Sequence, residues 1–564
     1  MKHFLRILTL VAGVSLVFAG SKIAPDLSTT SASPVAIPVI VQYATTPTKS
    51  ELKALGAYGQ IKKQFVHINA LSVTLTVPQI LTVSQDTNVA YISPNRPTKG
   101  TLDITTATVN ANMAWSLGYN GTGVGVAVID SGMYAHDDLK TADGTGSRIV
   151  YSESFISGLD ASDQYGHGTH VGGIVGSNGN DSTGPGFTRT LKGIAPNVNL
   201  INFRVLDANG AGTDAGVIAA IDEAINLRTT YNIRVINLSL GRPAFESYTL
   251  DPLCQAVEAA WKAGIVVVTA AGNFGRDNSM HEHGYGTIVS PGNDPYVVTV
   301  GAMNDMGTVT RTDDMIASYS SKGPTAIDHL VKPDLVAPGN GIVSLMAPNS
   351  TLATNYPKAL VPNSYYQTGG VGKSSSYLRL SGTSMATPVV SGAAALLLQQ
   401  NPSLTPDQVK ARLMKTAQKV LPLFSTTYDG ITHASFNLQS DVFEVGAGYL
   451  DIQAALSNND LTSLPALSAA LSYNNSTHKV TINRNFLTTW GSSVVWGDLL
   501  VYGFDVFNGA DTNGFSVVWG DSAIWGMDDG GGGFSVIWGD SILLPMGMQA
   551  LDVGDDDFSV IWGD

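Results

Sequence analysis

Three polar motifs in this 564-residue chain bring together side-chain types that work as a set. Val-Ala-Val-Ile-Asp130-Ser-Gly puts a carboxylate at the end of an apolar run. Gly166-His167-Gly-Thr-His170-Val-Gly-Gly puts an imidazole at the start of a helical stretch, and Ser381-Gly-Thr-Ser384-Met-Ala-Thr-Pro puts a hydroxyl at a helix N-terminus. Acyl transfer by serine needs these three types: the hydroxyl is a weak nucleophile and requires a base, and the base requires a carboxylate to orient it and offset its developing charge. A helix start at Ser384 adds backbone N–H groups where an oxyanion forms. Ala270-Ala-Gly-Asn273 places an amide just past another apolar run, within reach of the same oxyanion. Each feature alone has an ordinary reading. A serine at a helix start is usually a cap; His170, one turn after His167, reads as a buried structural partner, Cys254 as a core thiol, and His281-Glu-His283 as a solvated loop.

These residues need a frame. Val124–Ile129, Val198–Phe203, Val235–Leu240, Ile265–Ala270 and Tyr296–Val300 are short apolar runs bounded by turn residues. Helical stretches lie between them, at His167–Gly176, Asp214–Arg228 and Asp251–Ala263, and two more follow, Ser384–Gln399 and Thr405–Ala417. Buried strands alternating with helices predict a parallel sheet covered on both faces. In such sheets functional groups gather at the carboxyl ends of the strands. Ahead of this region, Val39–Tyr43, the alternating Leu71–Val77 and Val89–Ile92 predict a small α+β unit with an extended exit.

The order Asp130, His167, Asn273, Ser384 with these flanks resembles the subtilisin family of serine proteases (subtilases). The resemblance runs from about Ala111 to Ala455 and includes Asn237-Leu-Ser-Leu-Gly241, Lys332-Pro-Asp-Leu-Val-Ala-Pro-Gly339 and Gly446-Ala-Gly-Tyr-Leu. It implies a subtilisin-like α/β fold and a serine endopeptidase in which Ser384 is the nucleophile, His167 the general base and then acid, and Asp130 its orienting carboxylate. Asn273 and the Ser384 N–H would form the oxyanion hole. Ser239, Leu240 and Gly241 would pair with the substrate backbone, and Ala270, Ala271 and Gly272 would wall the primary specificity pocket. Val289 stands near the base of that pocket, which would then favour small or medium apolar side chains. No cofactor is implied for catalysis. The family admits structural calcium, with Asp138, Asn180 and Asp181 as candidate ligands. A departure from compact relatives is the Ser/Tyr/Gly-rich stretch from Leu345 to Leu380, expected near the cleft rim.

The resemblance also gives the termini roles. Lys2 and Arg6 precede a 12-residue apolar run, Ile7–Phe18, followed by Ala19, Gly20 and Ser21. That run is shorter than the ~20 residues of a membrane span; residues 1–20 read as a secretory signal peptide. Residues 21–100 then resemble an inhibitory propeptide, residues 101–458 the catalytic domain, and residues 459–564 a tail. The expectation is a secreted, self-processed zymogen, cut between about Asn95 and Thr108, extracellular or associated with the cell surface, acting on proteins or peptides and inhibited by its own propeptide.

Composition agrees. The formal charge is −14, but the 12 Asp after Trp490, with no Lys, Arg, Glu or His, carry most of it. The rest of the chain is almost neutral, which argues against a nucleic-acid partner. One Cys excludes an internal disulfide framework. In the tail, Phe515-Ser-Val-Val-Trp-Gly-Asp521 recurs at Phe534–Asp540 and Phe558–Asp564, each unit a short β-strand pattern ended by a Gly-Asp turn. Three readings of this β-rich repeat tail stand: a stacking appendage, a module that binds a surface or polymer, and an export or anchoring signal. Two other classes remain beside the hydrolase, a non-catalytic binding protein with this fold and a peptide ligase. A binding protein has no reason to keep all four of Asp130, His167, Asn273 and Ser384.

Overall fold

The computed structural model describes residues 22–23, 36–65, 69–94, 102–277, 279, 284–419, 421, 424–428, 434–474, 479–482, 505–508, 516–519, 535–538, 551–552 and 560–561. The expected signal peptide and the His281–His283 loop lie outside these residues. Two units result, residues 1–98 and 99–564.

The first unit is the expected α+β unit. Strands β1 (Ile37–Tyr43), β2 (Ile61–Gln64), β3 (Ala70–Leu75) and β4 (Val89–Pro94) form an antiparallel sheet in the order β2-β3-β1-β4. Helices α1 (Lys49–Tyr58) and α2 (Val77–Val83) complete it. Val39, Val41, Leu71, Val73 and Leu75 are buried on the sheet, against Leu55 and Ile80 from the helices. β2 is an addition to the expected three strands. Its Ile-Lys-Lys-Gln sequence is polar because it is an edge, where charge discourages further pairing.

The second unit opens with α3 (Leu102–Thr108) and α4 (Ala111–Ser116) and is built on an eight-stranded sheet. β5 (Gly125–Asp130) lies between β7 (Asn199–Arg204) and β8 (Ile233–Leu238), with β6 (Ile149–Ser154) outside β7. Beyond β8 come β9 (Val266–Ala270) and β10 (Val298–Asn304), which pairs with both β11 (Met315–Ile316) and β12 (Leu335–Pro338). All the strand pairs here are parallel except β10–β11. Helices α5 (His167–Gly176), α6 (Asp214–Asn226) and α7 (Pro252–Lys262) lie between strands in sequence, as the alternation required. The chain leaves β5 for β6 and β7 on one side and then crosses to β8 on the other. The carboxyl end of β5 is therefore a topological switch point, where open α/β sheets place their ligands.

The stretch from Leu345 to Leu380 folds as more than a rim loop. After β13 (Ile342–Leu345) and α8 (Thr351–Asn355), the short β14 (Leu360–Pro362) and β13 both pair antiparallel with β15 (Lys373–Ser381). α8 docks on the residues just before His167: Thr351 and Leu352 donate their N–H groups to Gln164 and Tyr165 carbonyls. β15 leads directly into α9 (Thr383–Gln400), whose residues from Thr383 to Leu398 are all buried. α10 (Pro406–Thr416) follows its predicted capping box, Thr405 against Gln408.

The body continues past Asn458, where the sequence placed its end. Val331 donates to the Ala469 carbonyl and Leu471 to that of His329. Ser468 donates to Asp334, which also pairs with Lys332 at 2.8 Å and Lys410 at 3.1 Å, all three fully buried. The Lys332-Pro-Asp334 motif is thus a buried ionic lock between β12, α10 and the 459–471 segment. A polar run, Ser457-Asn-Asn-Asp460, masks this continuation in the sequence, although it is only the mostly exposed exit from the helix Ile452–Ser457. In the tail, the backbones of Ser516–Trp519 and Ser535–Trp538 pair in parallel, residue for residue between two copies of the same unit. No helix among the described residues is long and apolar enough to cross a membrane.

Candidate active site

Asp130 ends β5, buried to 1% exposure. Its carboxylate is fixed from behind by the N–H of Ser131 at 2.7 Å. His167 is the first residue of α5, and its Nδ1 lies 2.8 and 3.0 Å from the two Asp130 oxygens. A carboxylate on Nδ1 holds that proton there and leaves Nε2 as the basic nitrogen. The approach is close because Gly168 has no side chain: a Cβ there would lie 2.2 Å from the Gly132 carbonyl oxygen.

Asp163, which sequence reasoning missed, locks this junction. Its oxygens accept from the Ser131 hydroxyl and Gly166 N–H on one side, and from the Thr169 N–H and hydroxyl on the other. One buried carboxylate thereby ties the end of β5 to the start of α5. The Asp-Gln-Tyr-Gly run around it reads as an ordinary loop, so nothing local betrays the role.

His170 is buried and structural. Its Nε2 lies 3.1 Å from the carbonyls of Ile342 and Leu378, joining α5 to β13 and β15. Burial, reinforced by the neighbouring His167, depresses its pKa to about 3. The unfolded chain takes up this proton near pH 6.5, the folded chain only near 3. Stability from this residue is therefore complete above about pH 6.5 and lost progressively as pH falls toward 3, by roughly 5 kcal/mol in all. The expected result is a melting temperature that drops steeply between pH 6.5 and 4 and less steeply in His170→Gln; equal slopes in the two proteins would contradict it.

Ser384 is the second residue of α9. Its hydroxyl donates to the Ser239 carbonyl at 3.1 Å. Its own carbonyl has no intrahelical donor four residues on, because that position is Pro388, which lacks an N–H. The Ser239 hydroxyl fills the gap at 2.8 Å. Ser239 in turn accepts from Asn237 at 2.9 Å, and Asn237 from Ser391 at 2.8 Å. A buried line of polar side chains thus seats the first turn of α9 on the end of β8.

Asn273 follows β9. Its Oδ1 accepts from the Thr383 N–H at 2.9 Å, which settles the orientation of the amide. Its buried Nδ2 has no hydrogen-bond partner. A buried donor left unpaired costs stability unless something is to bind it. The Ser384 N–H, in the first turn of α9, has no carbonyl one turn earlier in the helix to bond. A Cβ built on Gly382 would lie 3.5 Å from Asn273 Nδ2 and 3.6 Å from Ser384 N, so both donors border one space that Gly382 leaves open.

The remaining expected residues fall around this point. Ser239, Leu240 and Gly241 follow β8; Ala270, Ala271 and Gly272 follow from β9 to Asn273. Val289 bridges the two segments. A Cβ on Gly241 would meet its Cγ2 at 2.6 Å, and one on Gly272 would meet its Cγ1 at 2.7 Å. Of the candidate calcium ligands, Asp138 and Asp181 come together, joined by His136, while Asn180 is exposed. Cys254 is buried, and burial raises its thiol pKa well above the usual range.

Residues 121–448, more than half of the chain, match the model of the subtilase family of peptidases. The chain belongs to the subtilase family. It is 39% identical over 372 residues to serine protease AprX of Bacillus subtilis, covering 64% of this chain and 76% of that protein. Identity to subtilisin DY of Bacillus licheniformis is 33% over 349 residues, 62% of this chain and 96% of that protein. Subtilisin E of Bacillus subtilis is 32% identical over 401 residues, 70% of this chain and 83% of that protein. This subtilase is a subtilisin-like serine protease acting on protein substrates, and its α/β body with a parallel central sheet is the fold that goes with that activity.

Proposed function

We propose that the chain is a secreted serine endopeptidase working through Ser384, His167 and Asp130, made as a self-processed zymogen. Two observations support this reading: Asp130 holds His167 at Nδ1, and two N–H donors, Asn273 Nδ2 and Ser384 N, border one space that Gly382 leaves open. His167 takes the Ser384 proton as the hydroxyl oxygen attacks the peptide carbonyl. Asp130 offsets the charge that develops on the ring. The tetrahedral oxyanion forms against Asn273 Nδ2 and the Ser384 N–H. His167 then protonates the leaving amine, and water releases the acyl-enzyme by the same steps in reverse. No cofactor enters these steps. The base works only when neutral.

Substrate lies as an added strand along Ser239–Gly241. Its P1 side chain enters between Gly241 and Gly272 and ends on Val289. Val289 shortens that pocket, which favours small and medium apolar P1 residues. In a peptide panel, Val289→Gly is expected to raise kcat/KM for a P1 Phe at least about tenfold, since a few buried methylenes carry that much discrimination. A strong Arg or Lys preference in the wild type would reject the pocket assignment.

The amino-terminal α+β unit acts as the inhibitory propeptide. In α3, Ile104, Thr105 and Thr106 are buried, and Thr105 bonds Asp305. A cut within 95–101 spares this packed helix. The wild type should therefore begin after residue 95 once mature, and Ser384→Ala should keep the whole unit; a normal mature end in that variant would overturn self-processing. Removal of residues 486–564 should leave peptidase activity intact, consistent with a tail that binds a surface or polymer.

A further inference from the structure

His136, Asp138 and Asp181 have the residue types of a cation site, with ligand atoms all within 4.8 Å of one another. Calcium needs six to eight oxygens whose lone pairs are free to point at the ion. Here hydrogen-bond donors already reach both carboxylate oxygens of Asp138 and one of Asp181. Asp138 Oδ1 accepts from the Asp181 N–H at 2.7 Å. Its Oδ2 accepts from the Tyr377 hydroxyl at 2.8 Å and from the Ser177 hydroxyl at 3.1 Å, which Ser177 shares with the Leu191 carbonyl. Asp181 Oδ2 accepts from the Ser376 hydroxyl at 3.1 Å.

His136 is also committed. Its Nδ1 accepts from the Asp138 N–H, so the ring proton sits on Nε2, which faces the Ser376 carbonyl at 3.1 Å. Four nearby main-chain carbonyls accept from Arg148. Its guanidinium donates to the carbonyls of Asp138, Gly176, Val198 and Lys140 at 2.6 to 3.2 Å. Arg148 is 5% exposed, and burial lowers its pKa only to about 10, so it is a fixed positive charge bonded to the Asp138 main chain. This donor set does not fit calcium.

We propose that Asp138 is the centre of a cation-free latch, in which Tyr377, Ser177 and the Asp181 backbone hold its carboxylate and Arg148 supplies the positive charge. The latch joins three segments. Asp138 lies eight residues after Asp130, Ser177 follows α5, and Tyr377 stands on β15 ahead of Ser384. That these segments carry a catalytic triad rests on the reading above; the latch itself and its test do not.

The test is thermal melting of the full chain carrying Ser384→Ala, which prevents self-digestion, after chelator treatment and again in millimolar calcium chloride. Tyr377→Phe in that background is expected to melt lower by about 2–6 °C, the loss of one hydrogen bond to a buried carboxylate, and calcium should not restore the loss. Any calcium effect on the parent should persist in Asp138→Asn, which would place that cation elsewhere. Calcium that restores Tyr377→Phe, a calcium effect abolished by Asp138→Asn, or a Tyr377→Phe protein that melts like its parent would each overturn the latch. Should Asp138→Asn fail to fold, the Tyr377→Phe comparison decides alone.

Discussion

Replacing Ser384 by alanine is expected to lower kcat by about 10⁶, the loss found when the nucleophile is removed from another member of this family. The variant should keep its substrate affinity, because Ser239–Gly241 and the Val289 pocket are untouched. It should also keep its fold. The Ser384 hydroxyl makes one hydrogen bond, to the Ser239 carbonyl, and the Ser384 main chain is held separately by the Ser239 hydroxyl. A melting temperature within about 2 °C of wild type, with activity gone, is the expected pair of results. Retention of more than a hundredth of the activity would show that another group attacks the carbonyl.

Asn273 gives the second large effect, a fall in kcat of about 10²–10³ with little change in KM, the range measured for a single oxyanion donor in this family. The structure allows the donor to be separated from the acceptor. Oδ1 holds the Thr383 N–H, whereas Nδ2 is unpaired. Asn273→Asp keeps an acceptor for Thr383 and loses the donor; Asn273→Leu loses both. Both variants should lose kcat by at least 10². Recovery of most of the rate in Asn273→Asp would mean that Asn273 works by seating Thr383, and the oxyanion role would fall.

The part of this site legible in the sequence is the part built from contiguous motifs. A strand that ends in Asp130, a helix that begins at His167 and another that begins beside Ser384 each combine local periodicity with one chemical group, so the parallel sheet and its switch point follow from them. What stayed hidden is held by contacts between distant residues of ordinary type. Asp163 looks like a loop aspartate, Ser391 like a small residue inside a helix, and Tyr377 like part of a serine-rich insertion. Their roles exist only once β5 meets α5, α9 meets β8, and β15 meets the segment after β5. The latch proposed at the expected calcium ligands was hidden for the same reason. Asp138 and Asp181 are in place, but the side-chain donors to their carboxylates come from Ser177, Tyr377 and Ser376, which no local spacing connects to them. Edge strands such as β2 and β6 were missed because burial on one side only leaves a weak apolar signal.

The most direct test of the central claim is labelling with a fluorophosphonate, whose phosphorus is attacked only by a serine that has its base and oxyanion donors in place. Wild type and Ser384→Ala, matured or supplied without the first unit, are treated and mapped by peptide mass. The arrangement of Asp130, His167, Asn273 and Ser384 predicts one adduct, on Ser384, slowed in Asn273→Leu and absent in Ser384→Ala. No adduct on folded, matured wild-type protein, or an adduct on another serine, would contradict it.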